Sequence, residues 1–359
     1  MRFSIDPYSS QWKTVILGRE PESGKKMKIC KNCILPETFP GIRFDEEGVC
    51  NFCLDFKGRK NLLESKEKYR KKFEDLLKKN KGRASYDCLM AYSGGKDSTY
   101  TLVLLRKKYN LKILALTFDN GFIPLETFEN IRNVSEILGI DHLLFKPRFD
   151  LLKKIFLASM QSDLYSKKTL ERASTICTSC MGLVKFFSLR TDLEKNIPFI
   201  AYGWSPGQAP LSSSIFKNNK SMLKTMQNAI FDPLHKIVGE DINPYFLDQQ
   251  HFEKDCEFPY NISPLAFLEY DEDAIFKNMQ DLGWKKPKDT DPNSTNCLLN
   301  GFANLVHKEK FGFHPYSLEL ANLVREGYLD RQEALNRIDA PEDSDAVDRV
   351  RRKLGLSSV

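Results

Sequence analysis

The chain has 359 residues, 41% of them hydrophobic and 28% charged, which is typical of a globular protein long enough for more than one domain. No apolar run approaches the roughly 18 residues that cross a bilayer, and the first residues lack the basic-then-apolar order of a secretory signal. The composition therefore excludes membrane insertion and extensive disorder, and it favours a cytoplasmic location.

The N-terminal part of the chain divides into three segments. Residues 1–28 contain Pro, Gly and Ser with little periodicity and are predicted to form an irregular extension. Residues 29–56 carry four cysteines, and residues 57–83 hold twelve Lys or Arg against four acidic residues. Apolar residues recur at helical spacing in this basic segment, which predicts an amphipathic linker helix. Its charge indicates either a solvated helix face or a surface for nucleic acid.

Short apolar runs then alternate with helical patterns over residues 84–209. Strands are predicted at 88–92, 112–118, 142–145 and 197–202, and helices at 97–108 and 125–138. This order predicts an α/β domain with a parallel sheet covered on both faces. Ligands of such sheets bind beyond the carboxyl ends of the strands, so Ser93, Asp119 and Gly203 should line one crevice. The alternation stops near residue 210, and residues 210–359 are predicted to be an α-rich region.

The segment Ser93-Gly94-Gly95-Lys96-Asp97-Ser98 stands between the first predicted strand and helix. Glycines let the backbone approach an anion, and the N-terminus of a helix offers unpaired N–H groups, so the segment is suited to phosphate. A Walker A loop would need a hydroxyl residue directly after the lysine, where this chain has Asp97. The segment is therefore not an ordinary P-loop; a turn with polar residues by chance is the alternative.

Placed after a strand, this segment resembles the signature of the PP-loop ATP pyrophosphatases, a superfamily that includes tRNA thiolases, lysidine synthetases and several amidotransferases. The resemblance implies a Rossmann-like nucleotide-binding core and cleavage of ATP between its α- and β-phosphates, with adenylation of a carbonyl-type oxygen. It implies that Ser93, Gly94, Gly95 and Ser98 hold pyrophosphate, that Lys96 neutralises it, and that Asp97 positions Mg²⁺.

The turns after two other strands carry further candidates. Phe118-Asp119-Asn120-Gly121 resembles the segment that PP-loop enzymes place beside adenosine, which makes Asp119 a candidate for ATP binding and catalysis. Its alternative is an Asn-Gly turn capped by the aspartate. The loop that starts at Gly203 is polar with one aromatic residue and suits a small substrate, although it also fits a plain Pro-Gly turn.

Four cysteines of residues 29–56 form two C-x2-C pairs, Cys30 with Cys33 and Cys50 with Cys53, separated by sixteen residues. Four thiolates at this spacing can surround zinc, and so short a module needs a metal because it has no core of its own. We expect a structural Zn²⁺ site; free thiols or a small iron–sulfur centre are the alternatives.

The stretch from Cys30 to Cys53 also resembles the opening of N-acetyl sugar amidotransferases of bacterial surface-polysaccharide pathways. The segments around residues 310–312 and 323–335 are similar to the end of that family. This resemblance implies that an acetamido sugar is the acceptor, and that a separate glutaminase supplies ammonia, since no glutaminase Cys-His arrangement is evident in the chain.

A second cysteine set consists of the pair Cys177 and Cys180 with the distant Cys297. It resembles the set of the iron–sulfur tRNA thiolases, in which three thiolates hold a [4Fe-4S] cluster with one iron open to sulfur. This resemblance implies a catalytic role for Cys177 and Cys180, and tRNA or a small molecule as acceptor. A second zinc site, a redox-active pair and buried structural thiols are the alternatives.

Together these patterns predict an adenylating enzyme whose leading reaction replaces the adenylated oxygen by nitrogen, and whose main rival reaction replaces it by sulfur. An ATP-binding module without turnover is disfavoured because Lys96, Asp97 and Ser98 are all present.

Overall fold

Six strands form one sheet in the order β3-β2-β1-β4-β6-β5. The computed structural model describes residues 27–208, 210–253 and 257–356, so most of the predicted N-terminal extension lies outside the described residues. The strands are β1 Cys88–Ala91, β2 Ile113–Phe118, β3 Asp141–Phe145, β4 Phe199–Tyr202, β5 Ile215–Lys217 and β6 Tyr260–Ile262. All neighbouring strands pair in parallel except β5 and β6, which pair antiparallel at one edge.

Helices flank the sheet and fill the C-terminal half. The α-helices are α1 Asn51–Leu54, α2 Arg59–Asn80, α3 Lys96–Val103, α4 Leu125–Leu138, α5 Phe149–Gln161, α6 Lys167–Leu170, α7 Thr175–Glu194, α8 Lys220–Val238, α9 Gln249–Glu253, α10 Glu272–Gln280, α11 Leu299–Phe311, α12 Ser317–Glu326, α13 Arg331–Asp339 and α14 Ser344–Leu354. A π-helical turn, Leu104–Lys108, continues α3. None of the described helices is both long and apolar enough to cross a membrane.

Alternate residues of the central strands enter two separate hydrophobic cores. Cys88, Met90 and Phe199 belong to one core, whereas Leu89 and Ile200 belong to the other. Because successive side chains of a strand point to opposite faces, the sheet is covered on both sides. The predicted parallel α/β fold is confirmed, and its four predicted strands lie within one or two residues of their expected positions.

The expectation that the α/β alternation stops near residue 210 is wrong in one respect. Strands β5 and β6 lie beyond that point and extend the same sheet past β4. Each is three residues long, too short to show a period in the sequence. The division of the chain at residue 209 therefore does not coincide with the edge of the sheet.

The order of the strands also locates the site. The chain passes from β1 to β2 and β3 on one side, and after β3 it returns across the sheet to place β4 on the other side of β1. Strand order thus reverses between β1 and β4, which is the switch point where open α/β sheets bind ligands. The segment Ser93–Ser98 follows β1 directly at this point.

Candidate functional site

The loop from Ser93 to Ser98 is a tight turn from β1 into α3. Gly94 has φ +76, and a Cβ at this position would lie 2.6 Å from Cγ1 of Ile131, so both conformation and space require glycine. Gly95 is the N-cap of α3, and the Ser93 and Ser98 hydroxyls are 2.9 Å apart. The first turn of the helix therefore presents Lys96, Asp97 and Ser98 beyond the carboxyl edge of the sheet.

A cavity of about 930 Å³ opens at this edge. Of the predicted site residues it is lined by Ser93, Gly95, Lys96, Asp97, Ser98, Gly203, Cys177, Cys180 and Cys297. Gly94 and Asp119 are not among the described residues that line it. The volume is near the upper end for a pocket that takes one drug-sized ligand, so ATP and a second substrate can fit together.

Asp119 lies just outside the cavity. Its Oδ1 accepts a hydrogen bond of 2.8 Å from the Gly121 N–H, and its Oδ2 is 3.4 Å from Nζ of Lys146. The carboxylate thus caps the turn after β2, and the neighbouring Asn120 faces the cavity instead. These contacts are those of a turn cap, and a role of Asp119 in ATP binding stays a prediction.

Gly203 lets the end of β4 pack against the phosphate loop. A Cβ added there would be 2.4 Å from the Cα of Ser98. We therefore expect Gly203→Ala to force the two turns apart and to lower the free energy of unfolding by about 1 to 3 kcal/mol, the usual cost of overpacking. Urea unfolding would measure this. Gly41→Ala is a comparison without a clash, because that position has open space but φ +70, so alanine there costs only the strain of a left-handed backbone, about 1 to 2 kcal/mol. Absence of any loss in Gly203→Ala would contradict the close approach.

Lys96 is held by groups that the sequence did not single out. Its ammonium contacts the Glu272 carboxylate, donates to the Tyr270 hydroxyl at 3.0 Å, and lies 3.5 Å from Oδ1 of Asp97. Arg337 donates to Glu272 at 2.7 Å. Burial alone would lower the pKa of Lys96, but the adjacent carboxylates raise it, so the lysine stays charged.

The Glu272 carboxylate contacts both Lys96 and Arg337, the two cations that a bound anion would be expected to contact. Burial opposes its ionisation, but hydrogen bonds from Arg337 and the charge of Lys96 lower its pKa to about 2. The carboxylate therefore neutralises two cations that line the cavity. Phosphate oxygens entering the cavity would compete with it for Lys96 and Arg337.

The segment that carries Cys297 covers the phosphate loop. The Thr295 hydroxyl accepts a hydrogen bond of 2.9 Å from the Lys96 N–H, at the first turn of α3. Gly95 faces the Asn296 side chain. Because this segment is irregular and nearly 200 residues from the loop, no pattern in the sequence predicts the contact.

Cys177, Cys180 and Cys297 come together beside the loop. Asn120 donates from one amide nitrogen to the sulfurs of Cys180 at 3.5 Å and Cys297 at 3.4 Å, so these sulfurs are within about 7 Å of each other. Asn300 donates to Cys177 at 3.7 Å. Burial raises the pKa of all three thiols, that of Cys177 to about 11, so thiolates here require a nearby cation.

The three sulfurs suit a cluster better than a single ion. Among the described residues they do not form a set whose ligand atoms all lie within 4.8 Å of one another, as the four N-terminal cysteines do. A cluster places its thiolate ligands on different irons and so spaces them more widely than one ion does. The donor set, three thiolates on a helix and a facing loop, is compatible with iron–sulfur chemistry.

The N-terminal cysteines have the geometry of a zinc site. The sulfurs of Cys30 and Cys53 are 3.8 Å apart, and those of Cys33 and Cys50 are 3.7 Å apart. Thiolates at about 2.3 Å from a central zinc in a tetrahedron are ~3.8 Å from one another. The residues therefore fit zinc, which would link the two short turns that carry the cysteines.

Arg331 docks this module onto the C-terminal helices. It donates to the carbonyl oxygens of Cys30 and Cys33, both at 2.8 Å, and Phe39 packs edge-on against Phe313 at 5.2 Å. The same helices carry residues that reach the cavity, so the module supports one wall of the site.

Glu319 is a buried carboxyl group in that wall. It accepts a hydrogen bond of 2.6 Å from the Ser205 hydroxyl and lines the cavity with Lys96 and Asp97. Burial raises its pKa to about 7, and the charge of Asp97 adds to the effect. A carboxyl group that titrates near neutrality can accept or return a proton during a reaction.

No protein-family model matches the chain. The uncharacterized protein MJ1599 of Methanocaldococcus jannaschii is 26% identical over 332 residues, which cover 91% of this chain and 99% of that protein.

Solved structures give weaker likenesses. The U34-tRNA thiolase NcsA from Methanococcus maripaludis with its [4Fe-4S] cluster has a TM-score of 0.35 and 20% identity, covering 93% of this chain and all of that one. NMN synthetase from Francisella tularensis has a TM-score of 0.36 and 15% identity, with 85% and 99% covered. With an identity of 26% to the relative and TM-scores below 0.5, none of these proteins assigns a family or an activity to this chain.

Proposed function

We propose that the chain is an ATP-consuming enzyme that adenylates a carbonyl-type oxygen and then replaces that oxygen. The supporting observation is the loop Ser93–Ser98 at the switch point of the sheet, which opens into a cavity large enough for ATP and an acceptor. In this arrangement the helix N-terminus and Lys96 bind the β- and γ-phosphates. The α-phosphorus then faces the rest of the cavity.

Two bonds change in each half of the reaction. The acceptor oxygen attacks the α-phosphorus, a P–O bond forms, and the bond to the β-phosphate oxygen breaks with release of pyrophosphate. A nucleophile then attacks the acceptor carbon and expels AMP. Lys96 and Arg337 stabilise the charge on the departing pyrophosphate, because both can exchange Glu272 for phosphate oxygens.

Asp97 is the residue that would hold Mg²⁺. Its carboxylate lines the cavity between Lys96 and the Tyr270 hydroxyl, which donates to it at 3.1 Å. Oxygen ligands of this kind suit magnesium, which would neutralise phosphate charge.

For the replacing atom, we propose nitrogen, with an acetamido sugar as acceptor and ammonia from a separate glutaminase. The N-terminal cysteine segment supports this version through its resemblance to sugar amidotransferases. Sulfur is the second candidate, with tRNA or a small molecule as acceptor, and the meeting of Cys177, Cys180 and Cys297 in the same cavity favours it. A [4Fe-4S] cluster held by these cysteines would supply an iron that binds the incoming sulfur.

Glu319 is expected to take the proton that the nucleophile loses as it attacks. Since its pKa is about 7, the carboxyl is mostly protonated at pH 6 and mostly ionised at pH 8. Ammonium also loses its proton increasingly over this range, so the concentration of free ammonia must be held constant. The rate of product formation should then rise with pH by about tenfold, and this rise should vanish in Glu319→Gln. Pyrophosphate release in a single turnover should persist in the variant. An unchanged pH profile would exclude this role.

The proposed function is tested by the products of ATP cleavage. We would incubate the anaerobically purified chain with ATP, Mg²⁺, N-acetylhexosamines or tRNA, and ammonium or sulfide. Equal amounts of AMP and pyrophosphate are expected, whereas ADP and inorganic phosphate would overturn the mechanism. Iron and zinc would be counted in the same sample, because about four irons per chain would favour sulfur over nitrogen.

A further inference from the structure

The cations that line the cavity fall into two groups. Lys96 and Arg337, beside the phosphate loop, are paired with Glu272. The second group also lines the cavity, and none of its members forms an ion pair within the part of the chain that the structure describes: Lys168, Arg172, Lys185 and Lys286. Arg172 is held by the Gln208 carbonyl oxygen at 2.8 Å. This second group carries positive charge that no side chain balances.

Lys185 differs from Arg172 in that its side chain is only partly exposed. It lies on the same cavity-facing side of α7 as Cys177 and Met181, and eight residues after the cysteine. At 1.5 Å per residue, its Cα is about 12 Å along the helix from that of Cys177. Burial lowers its pKa to about 8, with no neighbouring charge to offset the effect.

Part of the lining of the same cavity is apolar. Met226 and Ile230 of α8 belong to it, and so does Trp204, which stacks on Tyr202 with 6.1 Å between ring centroids. Flat aromatic and aliphatic groups suit a ring, and the partly exposed amine of Lys185 suits one anionic substituent on it.

We propose that Lys185 binds an anionic group, a carboxylate or a phosphate, on the small acceptor substrate. This rests on the proposed function only in taking the acceptor to share the cavity with ATP. The phosphates of ATP belong at the loop, so the anion at Lys185 belongs to the other substrate. Arg172, which is exposed at the mouth, attracts the same charge. Lys168, Arg172 and Lys286 are exposed and could also meet the phosphates of a polynucleotide, whereas Lys185 is only partly exposed, which favours a small ligand inside the cavity.

The test measures binding and needs no turnover. Lysines of the intact chain would be ¹³C-methylated, the Lys185 signal assigned with Lys185→Arg, and its pKa measured by NMR with increasing inorganic phosphate. An ATP analogue with a methylene group between the α- and β-phosphates would occupy the loop throughout, with Mg²⁺. We expect phosphate to raise the pKa of Lys185 by about one unit, which is a tenfold preference for the charged amine. Lys224, exposed on α8 and outside the cavity lining, is the control in the same sample.

The acceptor chemistry is tested with matched sugars. N-acetylglucosamine 1-phosphate should shift the Lys185 signal as phosphate does, and neutral N-acetylglucosamine should leave its pKa unchanged. Lys185→Met, checked for an unaltered unfolding temperature, should abolish saturable phosphate binding in the presence of the analogue, whereas Lys185→Arg should retain it.

Three results would overturn the proposal. One is a Lys185 pKa that phosphate does not change, and another is a shift no larger than that of Lys224. The third is a shift that tRNA produces and phosphate does not. Each is distinct from failure of the proposed function, which appears in the products of ATP cleavage.

Discussion

Replacing Lys96 by alanine is expected to lower the rate of ATP cleavage by on the order of a hundredfold or more, about 2.7 kcal/mol in the barrier. The ammonium stands at the first turn of α3 and lines the cavity, where it could balance a departing pyrophosphate. Removing it also leaves Glu272 with Arg337 as its cationic partner, so repulsion between Glu272 and the phosphates adds to the loss. Formation of AMP and pyrophosphate, measured with saturating ATP, would report the effect.

Three further variants separate charge from position. Lys96→Arg keeps the charge and should recover part of the rate, whereas Lys107→Ala, an exposed lysine just beyond the same helix, should be as active as the parent. Glu272→Gln removes the carboxylate that competes with phosphate and should lower the Kd for ATP. Full activity in Lys96→Ala would remove this loop from the mechanism.

Replacing Cys33 by serine is expected to abolish the zinc content of the chain, from one ion to none. Four sulfurs spaced 3.7 to 3.8 Å apart in pairs form a tetrahedral set, and loss of one ligand weakens binding of the ion that holds two turns together. Because Arg331 and Phe313 rest on this module, proteolysis should increase both in residues 29–55 and near residues 312–340. ATP binding at the loop should persist.

Cys88→Ser is the matched control for this change. Cys88 is buried in β1 and belongs to neither cysteine set, so the substitution should lower stability while zinc remains. Metal analysis and limited proteolysis of both variants would decide the matter. Unchanged zinc in Cys33→Ser would contradict the assignment of this site.

The positions of the loop and of the four clustered cysteines were predictable because their signals are local. Ser93–Ser98 lies between a strand and a helix that adjoin it in the chain, so periodicity alone places it at the edge of the sheet. The two C-x2-C pairs lie within 24 residues, and their spacing suffices to suggest a tetrahedral site. The sequence does not distinguish the two possible roles of Asp119, because the same motif occurs when the carboxylate caps a turn and when it binds a ligand.

Only the tertiary structure decided which distant side chains complete the cavity. Three of these side chains belong to amphipathic helices: Glu272, Glu319 and Arg337. In the sequence of such a helix, a charged residue that enters a cavity cannot be distinguished from one that faces solvent. Their burial depends on how these helices pack over the loop, and α13 is held to the N-terminal cysteine module through Arg331. The meeting of Cys297 with Cys177 and Cys180 has the same cause. An irregular segment brings Cys297 across the carboxyl edge of the sheet. Contacts between residues so far apart in the chain follow from the packing of the whole chain and not from a local sequence pattern.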